Sequence, residues 1–345
     1  MKGNVPSQKK LVYAVREPLL EYLRKYNRAV NLPLQYEDLL RYNTAIPLID
    51  QEGNDTLWET VYYPESEQKE IFQALKYIYA LLKVEGSVEL LDHLTIARID
   101  YCHFGNSKPF RVRIINRLND NYDHFYVKRT DASRVYGLEL EALLSPNTMI
   151  YLVSGNTLVE EHIAGVPGDD FMKRHLNESV FNKTRIAKEF VKFNERCFAR
   201  LLGDMRSYNY VVDITPDIEG NQYRMRAIDF DQQSYEGRKS FYLPQYFKEN
   251  NAVIFLGINN MTPESVLQYQ QEERSLMAAR LKTQPNRTAL FFQIMMADDI
   301  APSDKIQQLR EDLVYHHKND IFDKCFTMGQ IVVCNINILT QKYHR

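Results

Sequence analysis

Hydrophobic and polar positions along this chain fall into three successive regimes. Between Glu67 and Glu85 the apolar residues Ile71, Leu75, Ile78 and Leu82 recur at steps of four, three and four, the period of an amphipathic helix. Ser66 is placed to cap that helix and Gly86 to end it. An earlier stripe, Leu11, Val15, Leu19 and Tyr26, also has helical spacing, and Pro18, which lacks a backbone N–H, marks a helix start or kink there. Residues 1–92 are therefore expected to form a helical N-terminal extension.

From Leu94 the period changes. The runs LTIARIDYCHF, PFRVRIINRL and HFYVKR alternate or are rich in β-branched and aromatic residues, and GNSK and NDNYD turn clusters separate them. They predict a three-stranded antiparallel meander. DASRVYGLELEALLSPN predicts a short helix stopped at Pro146-Asn147, and TMIYLVS and TLVEEHI predict two strands around Ser154-Gly155-Asn156. After Gly165 a long helix carries Ile186, Phe190, Phe193, Cys197 and Leu201 on one face, then leads through a polar loop into a hairpin that ends at IDFD. The last hundred residues read as helical. The expected fold is α+β and two-lobed: a five-stranded antiparallel N-lobe with one helix over 93–160 and a mainly helical C-lobe over 161–345, behind the extension.

Composition changes this picture only at its edges. The 345 residues carry 43 basic and 45 acidic side chains, a net charge of −2, so no overall positive charge favours a phosphate backbone and nucleic acid is not an expected partner. Cys102, Cys197, Cys325 and Cys334 lie far apart with no C-x-x-C pair, which fits neither a disulfide framework nor a zinc ribbon. No leader-like h-region and no apolar run of about 18 residues is present, so a reducing cytoplasmic setting without a membrane is expected. Oligomeric state is not legible.

The chemistry is carried by three segments. In Leu202-Gly203-Asp204-Met205-Arg206-Ser207-Tyr208-Asn209 a carboxylate precedes an amide by five positions on one loop, a spacing that sets a base for a hydroxyl beside an oxygen ligand for a metal. Asp229-Phe230-Asp231 puts a carboxylate at the end of the hairpin that follows. Upstream, Lys128 ends a strand, and Glu139 lies eleven residues further on the short helix, where a carboxylate can fix a phosphate-binding lysine. A D-x-D at a strand end is also how haloacid-dehalogenase-like phosphatases present a nucleophile and acid, but Gln233 occupies their Thr/Val slot and the motif lies two thirds along the chain.

These segments, in this order, resemble the kinase-like phosphotransferases of the aminoglycoside phosphotransferase type, distant relatives of protein kinases. The family's H-G-D-x-H-x-x-N loop is similar to Leu202–Asn209, its I-D-F/W-[DEG] motif to Ile228–Asp231, and its hinge to Val159-Glu160-Glu161-His162-Ile163-Ala164-Gly165. The resemblance covers roughly Leu94 to Asp231. It implies a protein-kinase-like fold and an ATP- and Mg²⁺-dependent kinase acting on a hydroxyl of a small-molecule acceptor. Asp204 would be the catalytic base, Arg206 would neutralise the transferring phosphoryl, and Asn209 and Asp229 would hold Mg²⁺. Lys128 would contact the phosphates, paired with Glu139 or, in the alternative helix register, Glu141. Backbone groups of Glu161 and Ile163 would meet adenine, and Ser107 lies in the phosphate-covering loop His103–Lys108.

The chain departs from the family at Leu202, which stands for the loop's first His, and in having only Gly105 in the phosphate loop. Both departures also suit a pseudokinase serving as a nucleotide-regulated binding module. The segment after Asp229 has no A-P-E anchor for a peptide, which points to a small acceptor. Asp298-Asp299 reads either as a helix end or as a contact for a cationic substrate.

Overall fold

A computed structural model describes residues 10–50, 52–84, 88–104, 106–176, 178, 181–218 and 220–343. It is α+β, with a seven-stranded antiparallel sheet, a small three-stranded sheet and many helices. The chain divides into two compact units.

The first unit comprises 14–131 and 149–162. Its sheet is built from β1 (Thr44–Ile49), β2 (Asp55–Tyr62), β3 (Leu94–Cys102), β4 (Phe110–Asn116), β5 (Asn121–Arg129), β6 (Tyr151–Ser154) and β7 (Thr157–Glu161), in the order β1-β2-β3-β4-β5-β7-β6. Two helices accompany it, α1 (Glu17–Lys25), with Pro18 in its first turn, and α2 (Glu65–Val84). The face of α2 formed by Ile71, Leu75, Ile78 and Leu82 packs in one core with Ile96, Ile99, Val112, Ile114, Phe125 and Val127 of the central strands. Alternation on β4 sends Val112 and Ile114 into this core and leaves Arg111 and Arg113 on the other face.

The expected five strands all form, but the helical extension does not stand apart. Two strands lie within 1–92 and extend the same sheet, because Trp58 to Thr60 pair with Cys102 to Asp100. Their signal was weak for a physical reason. β1 is an edge strand with mostly exposed side chains and contains Pro47, where its register slips, so it carries neither alternation nor a full ladder. Gly86, the expected end of α2, lies outside the described residues.

The second unit comprises 10–13, 132–148 and 163–345. The predicted short helix, α3 (Ala132–Leu144), belongs here and not with the sheet; all but one of its residues are buried. The unit continues through β8 (Val166–Pro167), the single turn α4 (Gly168–Asp170), α5 (Lys183–Arg200), and the hairpin β9 (Tyr210–Asp217) and β10 (Gly220–Ala227). Helices α6 (Asn251–Asn260), α7 (Pro263–Thr283), α8 (Pro285–Ala297), α9 (Ser303–His317) and α10 (Met328–Thr340) complete it. Asp298 caps the end of α8 and accepts a hydrogen bond from the Tyr136 hydroxyl at 2.9 Å, so the Asp298-Asp299 pair has the helix-end role. No helix among the described residues is long and apolar enough to cross a membrane.

Candidate functional site

The loop that carries Asp204 is fixed at both ends. The apolar face of α5, with Ile186, Phe190, Phe193 and Cys197, is buried, and the helix stops at Leu201 in the left-handed region with φ 54°. Asn335 of α10 donates to the carbonyl oxygens of Phe198 and Ala199 at 2.8 and 3.1 Å, satisfying the last turn. Beyond it Leu202 makes an antiparallel bridge with Gln233, Gly203 N–H donates to Gln232 O at 3.1 Å, and Asp204 N–H donates to Phe241 O at 3.2 Å. A Cβ on Gly203 would lie 2.6 Å from the Phe241 ring, so only glycine allows this approach. Asp204 itself has φ 59°, an uncommon conformation for a side-chain-bearing residue and one found at functional loops.

The other end is tied by polar side chains. Buried Asn250 donates to Met205 O at 3.0 Å and to Pro244 O at 2.8 Å and accepts from the Tyr210 hydroxyl at 3.0 Å. Asn209 Nδ2 donates to the Asp204 carbonyl oxygen at 2.7 Å, which turns its Oδ1 the other way, and Ile228 N–H donates to Asn209 O at 3.1 Å. Because Tyr210 pairs with Ala227 in the hairpin, Asn209 and Asp229 leave the β9–β10 ladder at the same end.

Charge is concentrated here. Arg206 donates from Nε to Asp204 Oδ1 and from Nη1 to Glu249 Oε1, both at 2.8 Å, while its guanidinium lies 5.0 Å from the Phe247 ring centre. Burial raises the Asp204 pKa above the usual carboxylate value; the Arg206 hydrogen bond and charge pull it down, and the charges of Asp229 and Glu249 push it up. Asp229 accepts the Asp231 N–H at 2.9 Å, and Arg134 of α3 ion-pairs with Asp231 and approaches Asp229 at 3.7 Å. Asp204, Arg206, Asn209 and Asp229 therefore come together in the second unit as sequence reasoning expected.

The residues expected to meet a nucleotide are divided between the two units. Lys128 is buried on β5 and ion-pairs with Glu160 of β7, its ammonium lying 5.5 Å from the Tyr126 ring centre. It ends a polar row across the sheet, in which Thr60, Asp100, Arg111, Tyr126 and Glu160 stand opposite one another on successive strands. Arg111 donates to the fully buried Asp100 carboxylate at 2.8 Å. Glu139 meets Arg287 of α8 at 2.7 Å, and Glu141 ion-pairs with Arg200 of α5. Both glutamates are buried on α3 within the second unit. The Glu161 N–H donates to Ile150 O at 3.0 Å, so this N–H is already taken, and its carboxylate takes Lys83 at 3.1 Å. Ile163 is buried at the start of the second unit's long segment, and Ser107 is half-buried in the β3–β4 turn; Gly105 lies outside the described residues.

Three residues escaped sequence reasoning. Glu160, adjacent to the expected hinge carboxylate, was hidden because strand pairing, not spacing, brings it to Lys128. Arg134 was one helix residue among many. Glu249 lies in the run YFKENN, forty-five positions after Asp204, with no motif to mark it. No group of three or more His, Cys, Asp or Glu side chains among the described residues is arranged to hold a metal. No protein-family model matches this chain, and no curated protein matches it.

Proposed function

We propose that this chain is an ATP- and Mg²⁺-dependent phosphotransferase acting on a hydroxyl of a small-molecule acceptor, on a two-lobed protein-kinase-like architecture. The observation that carries the reading is the loop from Asp204 to Asn209, locked by hydrogen bonds to the hairpin end that bears Asp229. Phosphoryl transfer asks the protein mainly for positioning and charge: a base for the acceptor hydroxyl, oxygen ligands for a divalent cation and a cation for the phosphoryl oxygens. Asp204, held by Arg206 at 2.8 Å, has the chemistry of the base. Arg206, paired with Asp204 and Glu249, would supply the cation for the transferring group. Element order supports the architecture: three antiparallel strands, a helix and two strands precede a long helix, a loop and a hairpin.

The donor set suits Mg²⁺, which keeps most of its shell as water and phosphate oxygens and needs one or two carboxylates from the protein. Asn209 Oδ1 is turned away from the backbone by the amide's bond to Asp204, and Asp229 is about a third exposed, with one oxygen committed to Asp231. These two residues would hold the ion, which when bound supplies charge neutralisation at the phosphates. Lys128, fixed by Glu160, has the charge for the same task on the nucleotide. After Asp231 the chain forms tight turns at Lys239–Tyr242, Pro244–Tyr246 and Lys248–Asn250 that are tied to the Asp204 loop, with no extended platform for a peptide, which supports a small acceptor.

A second reading, a nucleotide-regulated pseudokinase, is favoured by Leu202, which is fully buried and bridges Gln233 where a relative's histidine would orient the base. Steady-state ATP turnover with Mg²⁺ over a panel of hydroxylated compounds separates the two. Asp204→Ala is expected to lower turnover by about 10²-fold or more with little change in ATP affinity. Equal turnover in wild type and variant would favour the pseudokinase.

A further inference from the structure

Away from that site, two cysteines that sequence spacing left unconnected come together in the second unit. Cys325 follows the short turn Asp320–Lys324, and Cys334 lies on α10; both line one groove of about 630 Å³, together with Lys324, Met296 and Asn337. The segment around Cys325 is pinned. Its N–H donates to Phe322 O at 2.9 Å, the Phe326 N–H to Gln330 Oε1 at 2.6 Å, and the Thr327 hydroxyl to Met296 O at 2.8 Å. Two cations attend it: Lys324 on the groove wall, and Arg310, whose Nη1 reaches the Cys325 carbonyl oxygen at 3.5 Å.

This is the setting in which a thiol ionises and meets an oxidant: cationic, reachable through a groove, and beside a second thiol. The neighbouring Cys334 and the Arg310 charge draw the Cys325 pKa below the ordinary thiol value against its burial, while Cys334 is pushed up. Burial raises the other two cysteines, Cys102 and Cys197.

We propose that Cys325 and Cys334 form a peroxide-reactive dithiol that closes to an intramolecular disulfide. The Cys325 thiolate attacks the outer oxygen of a hydroperoxide; the O–O bond breaks, the leaving oxygen takes up a proton and departs as water or an alcohol, and the sulfur is oxidised to a sulfenic acid. The Cys334 sulfur then attacks that sulfur. An S–S bond forms, the S–O bond breaks, and hydroxide leaves with the Cys334 proton as water. A thiol reductant returns both cysteines. The reaction is independent of phosphotransfer.

The test exposes the reduced full-length chain to hydrogen peroxide and maps its thiols by mass spectrometry without reduction. The expected product is a peptide linked through Cys325 and Cys334, reversed by dithiothreitol and formed at least ~10-fold faster than oxidation of Cys102. In Cys334→Ser the Cys325 sulfenic acid persists and is trapped by dimedone; in Cys325→Ser, Cys334 stays a reduced thiol. A Cys325 that reacts no faster than Cys102, a disulfide joining other cysteines, or a Cys334→Ser chain that dimedone does not label would each overturn the proposal.

Discussion

At the scale of single residues, catalysis at this site would turn on how Asp204 is balanced. A general base works deprotonated, so the rate should rise with pH through the pKa of Asp204, which burial sets above the ordinary carboxylate value. Two neighbours act on it with opposite sign. Glu249→Gln removes a negative charge that raises the pKa, so the acid limb of kcat/KM against pH should move to lower pH. Arg206→Met removes the cation and hydrogen bond that lower it, so the limb should move to higher pH as the rate falls. Limbs that coincide in all three proteins would show that another group is the base. Asp204, Arg206, Asn209 and Asp229 were legible in the sequence because a loop and the hairpin after it bring them together over short separations. Glu249 was not, since only the packing of the turns after Asp231, through Asn250, returns it to Arg206.

At the scale of elements, α3 ties the IDFD segment into the second unit. It follows β5 directly and is nearly all buried, and Glu139 meets Arg287 while Glu141 meets Arg200. Its layer was hard to read from the sequence, because a helix enclosed on all sides loses the one-faced pattern that tells which layer it serves. What it contributes to the site is Arg134, fully buried against Asp231 beside Asp229. Removing one partner of a buried pair strands the other charge, so Arg134→Met should cost about 3–5 kcal/mol in urea unfolding. The double variant Arg134→Met/Asp231→Leu should be more stable than Arg134→Met alone. A single variant as stable as the wild type would mean that α3 does not anchor the IDFD segment.

At the scale of the whole molecule, the central strands and α2 were readable from alternation and helical spacing, whereas β1 and β2 were not, since an exposed edge interrupted by proline carries neither signal. The sheet also stores a pH dependence. His124 sits on β5 with its pKa lowered from 6.5 to about 4, by burial first and then by the charges of Arg111, His162 and Arg113. The native chain keeps it neutral while the unfolded chain protonates near 6.5, so its contribution is complete above that pH and is lost as pH falls toward about 4. The thermal midpoint should decline across this window, and less steeply in His124→Gln. An identical slope in the variant would remove His124 from the account.

The central claim, that Asp229 joins Asn209 in presenting Mg²⁺ to a nucleotide, is tested most directly by the thermal shift that ATP produces with and without Mg²⁺, in wild type and in Asp229→Asn. A ligand at about 100 times its Kd stabilises the folded state by about 2.7 kcal/mol. The wild type is expected to show a shift of that order that depends on Mg²⁺, and Asp229→Asn is expected to lose the Mg²⁺-dependent part while unfolding normally without ligand. An equal Mg²⁺-dependent shift in both proteins, or none in the wild type, would contradict it.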